Sequence, residues 1–143
     1  MEFNKSDGGR EAAGYKGTAG DCVCRAIAIA TELPYQEIYE LINSFAKNER
    51  TGKRKRGKSS SRSGVYKGTI RKVMDKLGWE WVPTMFIGQG CKVHLKANEL
   101  PKGRLVVNVS KHTTCVIDGV LNDNYDCSRN ETRCVYGYFI KEK

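Results

Sequence analysis

The sequence predicts an α+β fold in which helices come first and an antiparallel sheet follows. Three observations carry this. Apolar residues recur at helical spacing in three stretches before Gly78. Beyond Gly78 they fall into short runs rich in Val, Ile and Tyr with a period of two. Between two of those runs, Asp118-Gly119 is the dipeptide of a two-residue hairpin turn. Helices followed by strands pack as two layers around one core. At 143 residues, a single domain over 1–143 is expected.

The elements follow in order. Residues 1–20 are glycine-rich and poor in apolar side chains, and read as an extended arm. Asp21 is placed to cap a first helix over 22–31, its carboxylate accepting from first-turn amides. Val23, Ala26, Ile27 and Ala30 give that helix a buried stripe. Pro34 starts a second helix, which carries Ile38, Leu41, Ile42 and Phe45 and fades near Asn48. Residues 48–64 hold no apolar side chain, so nothing offsets the cost of ordering them, and a mobile basic loop is expected. A third helix opens at Gly68 and Thr69 and ends at Gly78. Strands are expected at Trp79–Pro83, Met85–Ile87, Arg104–Val109, His112–Ile117, Val120–Asp123 and Cys134–Ile140, with one helical turn at Leu95–Leu100.

Composition narrows the function classes. No run of about 18 apolar residues exists, which excludes a membrane-spanning helix. The polar N-terminus carries no hydrophobic signal region, so a reducing, cytoplasmic location is expected. There, the six cysteines (Cys22, Cys24, Cys91, Cys115, Cys127 and Cys134) are expected as free thiols. Neither Cys22-x-Cys24 nor the wide Cys127 to Cys134 interval matches zinc-ligand spacing, so no metal or other cofactor is expected.

The net charge of +9 is local. Between Phe45 and Gly78 twelve Lys or Arg face only Glu49 and Asp75, a local charge of +10 against −1 for the rest. Lys53, Arg54, Lys55, Arg56, Lys58 and Arg62 are therefore candidates for gripping nucleic acid or an acidic protein. The segment lacks the interleaved aromatics that stack on single strands, and Tyr66 alone lies near. A solvated loop accounts for the charge equally well.

Three residues carry chemistry. Cys22 falls in the first turn of a helix, where unpaired amides and the positive end of the helix dipole favour a thiolate. Cys24 lies about 200° around the helix and faces elsewhere. His112 opens a strand, and His94, the other histidine, sits in a short irregular segment. Across the Asp118-Gly119 turn Val116 pairs with Leu121 and Cys115 with Asn122. That puts His112 and Asp123 diagonally on one face and Asn122 on the other. Cysteine, histidine and carboxylate together make a thiol nucleophile, its base and a group that orients the base. The Cys22 amide supplies one oxyanion donor, with Asp21 or Thr18 as candidates for a second and Asn122 as an alternative orienting residue.

The stretch GDCVCRAIAIATELPYQEIYELI resembles the nucleophile helix of small phage and bacterial papain-like domains. ELPKGRLVVNVSKHTTCVIDGVLNDNYD resembles their histidine strand, hairpin and acidic strand end. The resemblance spans about 17–45 and 99–126 and keeps the order cysteine, histidine, Asp or Asn. It implies a papain-like cysteine-protease fold and a hydrolase of peptide, amide or isopeptide bonds, with Cys22 as nucleophile, His112 as base and Asp123 as orienting residue. The stretch YKGTAG before Cys22 departs from the pattern, having no amide side chain where such enzymes carry one.

Overall fold

Residues 1–16, 19–49 and 57–141 are described by a computed structural model of the chain. Three helices precede most of the sheet: α1 (Cys22–Thr31), α2 (Tyr35–Ala46) and α3 (Lys67–Lys76). The strands are β1 (Phe3–Lys5), β2 (Glu80–Pro83), β3 (Arg104–Val109), β4 (His112–Ile117), β5 (Val120–Asp123) and β6 (Val135–Ile140), and Ala97–Glu99 forms a 3₁₀ turn. No helix among the described residues is long and apolar enough to cross a membrane.

The six strands form one sheet in the order β1-β5-β4-β3-β6-β2. It is mixed, not antiparallel, because β1 runs parallel to β5 with Phe3 opposite Leu121 and Lys5 opposite Asp123. The supposed N-terminal arm thus supplies an edge strand. Its side chains are exposed, so it carries no alternating pattern; it is held by backbone pairing and by the Asn4–Asn122 side-chain hydrogen bond. The β4–β5 hairpin has the expected register, with Cys115 opposite Asn122 and Val116 opposite Leu121. Asp118 and Gly119 both take positive φ, as a type I′ turn requires.

Each sheet face is covered. On one, Ile27, Ile38, Val73 and Met74 from the helices close over Val106, Cys115 and Phe139. On the other, Leu105, Val107, Val116 and Leu121 meet Leu95, Leu100 and Cys127 from the irregular connections. Side-chain alternation along β3 sends Val106 to the first core and Leu105 and Val107 to the second. Trp81 lies across β6, and a Cβ on Gly137 would fall 2.4 Å from its indole. Only glycine lets the ring lie there.

Several expectations are corrected. Met85–Ile87 is not a strand: the chain leaves the sheet after Pro83, and Phe86 and Ile87 stand exposed in a turn. Residues 57–64, part of the expected mobile loop, carry no apolar side chain but make hydrogen bonds to the rest of the fold. Ser61 is buried, donating its Oγ to the Tyr39 carbonyl at 2.5 Å and its amide to Asn43 at 3.0 Å. The Ser59 amide donates to Glu49. The remainder of the expected mobile loop, 50–56, lies outside the described residues. The thiols are not all free either: Cys91 and Cys134 form a disulfide with Cα atoms 5.8 Å apart. The pair is separated by 43 residues and joined by the antiparallel bridge between His94 and Cys134, which no local spacing reveals. Cys22, Cys24, Cys115 and Cys127 stay free.

Candidate active site

The site forms where the N-terminus of α1 meets the His112 end of β4. Cys22 is the first residue of α1, and no acidic side chain occupies the first turn to compete for the helix dipole. Asp21 stands at the N-cap but makes no side-chain capping bond, which corrects the expected role. Its buried carboxylate instead accepts from Tyr35 Oη at 2.6 Å, from Arg10 Nη1 at 3.2 Å and from Arg25 Nη1. Two guanidinium groups inside the fold demand an anion, and that demand outweighs one capping bond.

His112 Nε2 and Asp123 Oδ2 lie 2.7 Å apart, joining β4 to the end of β5. Both side chains are buried. Asp123 is held further: its Oδ1 accepts from the Asn124 amide at 2.7 Å and lies 3.7 Å from Arg25 Nη2, and Cys127 Sγ approaches Oδ2 at 3.6 Å. The Tyr125 ring tilts against the imidazole with centroids 5.3 Å apart. Nε2 is thereby committed to the carboxylate, and Nδ1 is the ring nitrogen left over; Cys22 and His112 line the same crevice.

The electrostatics agree with this division. Burial opposes a thiolate at Cys22. The nearness and positive charge of His112, the Thr113 backbone and Arg25 outweigh it and bring the thiol below the ordinary cysteine range. Burial likewise opposes charge on His112, yet hydrogen bonds to Asp123, Cys127 and Cys22 push its pKa up to about 11. Asp123 is burdened by burial but held below the usual carboxylate value by His112. Cys24, two residues from Cys22, is pushed the other way by burial, up to about 12. Burial thus keeps the Cys24 thiol protonated and unreactive.

The structure brings Cys22, His112 and Asp123 together and leaves other candidates out. Asn122 does not orient His112: its Oδ1 accepts from Asn4 Nδ2 at 2.8 Å and its Nδ2 donates to the Val120 carbonyl, because it faces away from Asp123 along β5. Asp21 is spent on the arginines, and Thr18 lies outside the described residues. So do Lys53, Arg54, Lys55 and Arg56. Lys58 Nζ donates to the Lys47 carbonyl at 2.9 Å, and Arg62 is exposed.

Two residues at the site escaped the sequence reading. Asn108 lines the crevice of about 210 Å³ that holds Cys22, His112 and Thr113. Its Oδ1 accepts from Thr113 Oγ1 at 3.2 Å, and its Nδ2 has no partner among the described residues. It brings an amide side chain from β3 to the crevice that Cys22 lines. The strand pairing of Asn108 with Thr113 puts it there, a signal present in the β3–β4 register but not in any motif. Arg25 is the second, lying between Asp21 and Asp123.

Beside this crevice runs a groove of about 580 Å³ that shares Asn108 and Lys67 with it. Trp81, Met85, Phe86 and Ile87 give it an apolar wall, and Lys67 and Arg71 a cationic one. His112, Asp123 and Cys127 also bring three potential metal-ligand atoms within 4.8 Å of one another. However, Nε2 and Oδ2 are already in direct contact at 2.7 Å, whereas a tetrahedral zinc between them would hold them roughly 3.4 Å apart. The geometry is that of a hydrogen-bonded pair.

No protein-family model, curated protein or solved structure matches this chain.

Proposed function

We propose that the protein is a papain-like cysteine hydrolase that cleaves an amide, peptide or isopeptide bond. The observation that carries the reading is the convergence of Cys22 at a helix start with the buried His112–Asp123 pair, each group shifted in the direction the chemistry needs. In the resting state Cys22 is thiolate and His112 imidazolium. The sulfur attacks the substrate carbonyl carbon, and the oxyanion that develops takes hydrogen bonds from the Cys22 amide and Asn108 Nδ2. His112 gives its proton to the departing amine as the C–N bond breaks, leaving a thioester on Cys22. Water then attacks the thioester, losing its proton to His112. Collapse releases the acid and restores the thiolate–imidazolium pair. Asp123 keeps Nε2 protonated throughout and stays ionised.

The groove sets what enters. Its apolar wall and the ammonium and guanidinium of Lys67 and Arg71 suit a peptide with a large apolar residue beside an acidic one. Binding of nucleic acid or an acidic protein through Lys53–Arg56 is a separate reading that rests on the local charge of the sequence.

A panel of fluorogenic peptides carrying apolar and acidic residues tests the assignment. Turnover by the wild type that disappears in Cys22→Ala, with the variant's circular dichroism unchanged, supports it. Turnover retained in Cys22→Ala overturns it.

A further inference from the structure

On the far side of the groove, the segment 91–95 runs antiparallel to 133–135. Val135 donates its amide to the Val93 carbonyl, Leu95 donates to the Arg133 carbonyl, and His94 and Cys134 form a bridge. This short ladder brings Cys91, His94 and Cys134 to neighbouring positions of two paired segments. Cys91 and Cys134 are joined as a disulfide, and Cys91 Sγ lies 3.7 Å from His94 Nε2. The other ring nitrogen of His94 is already engaged: Nδ1 is 3.2 Å from Glu99 Oε1, which also accepts from the His94 backbone amide. A carboxylate behind Nδ1 fixes the tautomer that presents a lone pair at Nε2, the second-shell arrangement of metal-bound histidines.

We propose that, once the disulfide is reduced, Cys91, Cys134 and His94 bind a thiophilic divalent cation of the zinc type. The distances fit. With zinc–sulfur and zinc–nitrogen bonds of about 2.3 and 2.05 Å, tetrahedral coordination separates sulfur from nitrogen by roughly 3.6 Å, against the 3.7 Å between Cys91 Sγ and His94 Nε2. Opening the disulfide lets the two sulfurs move apart by rotation about their Cα–Cβ bonds, with the Cα atoms 5.8 Å apart. The chemistry balances. A small dithiol delivers two electrons and two protons to the Cys91–Cys134 bond and becomes a cyclic disulfide. Two thiols result, and the cation displaces their two protons while neutral His94 supplies its lone pair. Three protein ligands leave a fourth position for water. Cys91 is exposed and His94 partly so, which gives an entry path. Lys92 and Lys96 are nearby cations; Lys96 is drawn to Glu99 at 3.8 Å, and two thiolates outweigh the repulsion. The site lies apart from Cys22, and it clasps the loop bearing Met85–Ile87 to β6 in a reducing compartment, as the disulfide does in an oxidising one.

The test is anaerobic titration of Co²⁺ into the full-length protein, reduced with a dithiol that is then removed. The expected result is one ion per chain, with thiolate-to-cobalt charge transfer and tetrahedral d–d bands that Zn²⁺ abolishes. These bands disappear in Cys134→Ser and His94→Ala and persist in Cys22→Ser. Glu99→Gln, which leaves all three ligands in place, weakens affinity about 10- to 100-fold. Zn²⁺ also slows alkylation of Cys91 and Cys134 while leaving Cys22 reactive. Absence of the charge-transfer band at one equivalent would overturn the proposal, as would bands that survive His94→Ala or are lost in Cys22→Ser.

Discussion

Replacing Asp21 with Asn removes one negative charge from beneath two buried guanidinium groups. The Asp21 carboxylate is 1% exposed and is shared by Arg10, Arg25 and Tyr35. Breaking a buried ion pair by removing one partner costs about 3–5 kcal/mol, because an uncompensated charge stays behind. A domain of 143 residues has an unfolding entropy of about 0.3 kcal/mol/K near its midpoint, so the expected fall in Tm is roughly 10–17 °C. Thermal unfolding followed by circular dichroism at pH 7 measures it. The substitution also removes one of the two carboxylates that hold Arg25, the other being Asp123. A Tm within about 3 °C of wild type, equivalent to roughly 1 kcal/mol, would refute the reasoning. It would mean that water or rearranged side chains satisfy the arginines.

Other expectations follow from the same geometry. Asn108→Ala should leave Cys22 alkylation unchanged but lower turnover of a peptide substrate about 10²- to 10³-fold, the usual effect of losing one oxyanion donor; equal loss in both assays would place Asn108 elsewhere in the mechanism. Gly137→Ala forces the Trp81 indole off β6 and should cost about 1–3 kcal/mol in urea unfolding; an unchanged midpoint would show that the ring moves freely. Cys24→Ser should leave Cys22 reactivity intact, since Cys24 is buried and its pKa is raised to about 12; a change in the Cys22 alkylation profile would contradict this. The folded-state pKa of Asp123 is depressed, so its stabilisation is full above the ordinary carboxylate value and is lost as pH falls through the folded-state pKa. The acid limb of stability should therefore flatten in Asp123→Ala, and an unaltered limb would contradict the shift.

The bounds of α1, β3, β4 and β5 and the register of the β4–β5 hairpin are all legible in local pattern: apolar period, β-branched runs and one Asp-Gly turn. From that register alone Asp123, not Asn122, falls beside His112, as the structure has it. What was illegible is non-local. β1 has no pattern of its own and exists by pairing with β5. Ser59 and Ser61 order a polar loop through bonds to residues of α2 and its C-terminal extension. Cys91 finds Cys134 only because two irregular segments form a ladder. Asp21 looks like a cap from its position, but Arg10 lies in a stretch with no periodicity to reveal that it folds back. Asn108 reads as one more polar residue in a strand until its neighbour across β4 places it beside Cys22.

The central claim is that His112 activates Cys22. Its most direct test is the alkylation rate of Cys22 as a function of pH, read by peptide mass spectrometry in wild type and His112→Ala. The account predicts a wild-type midpoint well below the ordinary thiol value of about 8.5 and a rise toward it when the imidazole is removed. An ordinary midpoint in wild type, indifferent to the loss of His112, would contradict it.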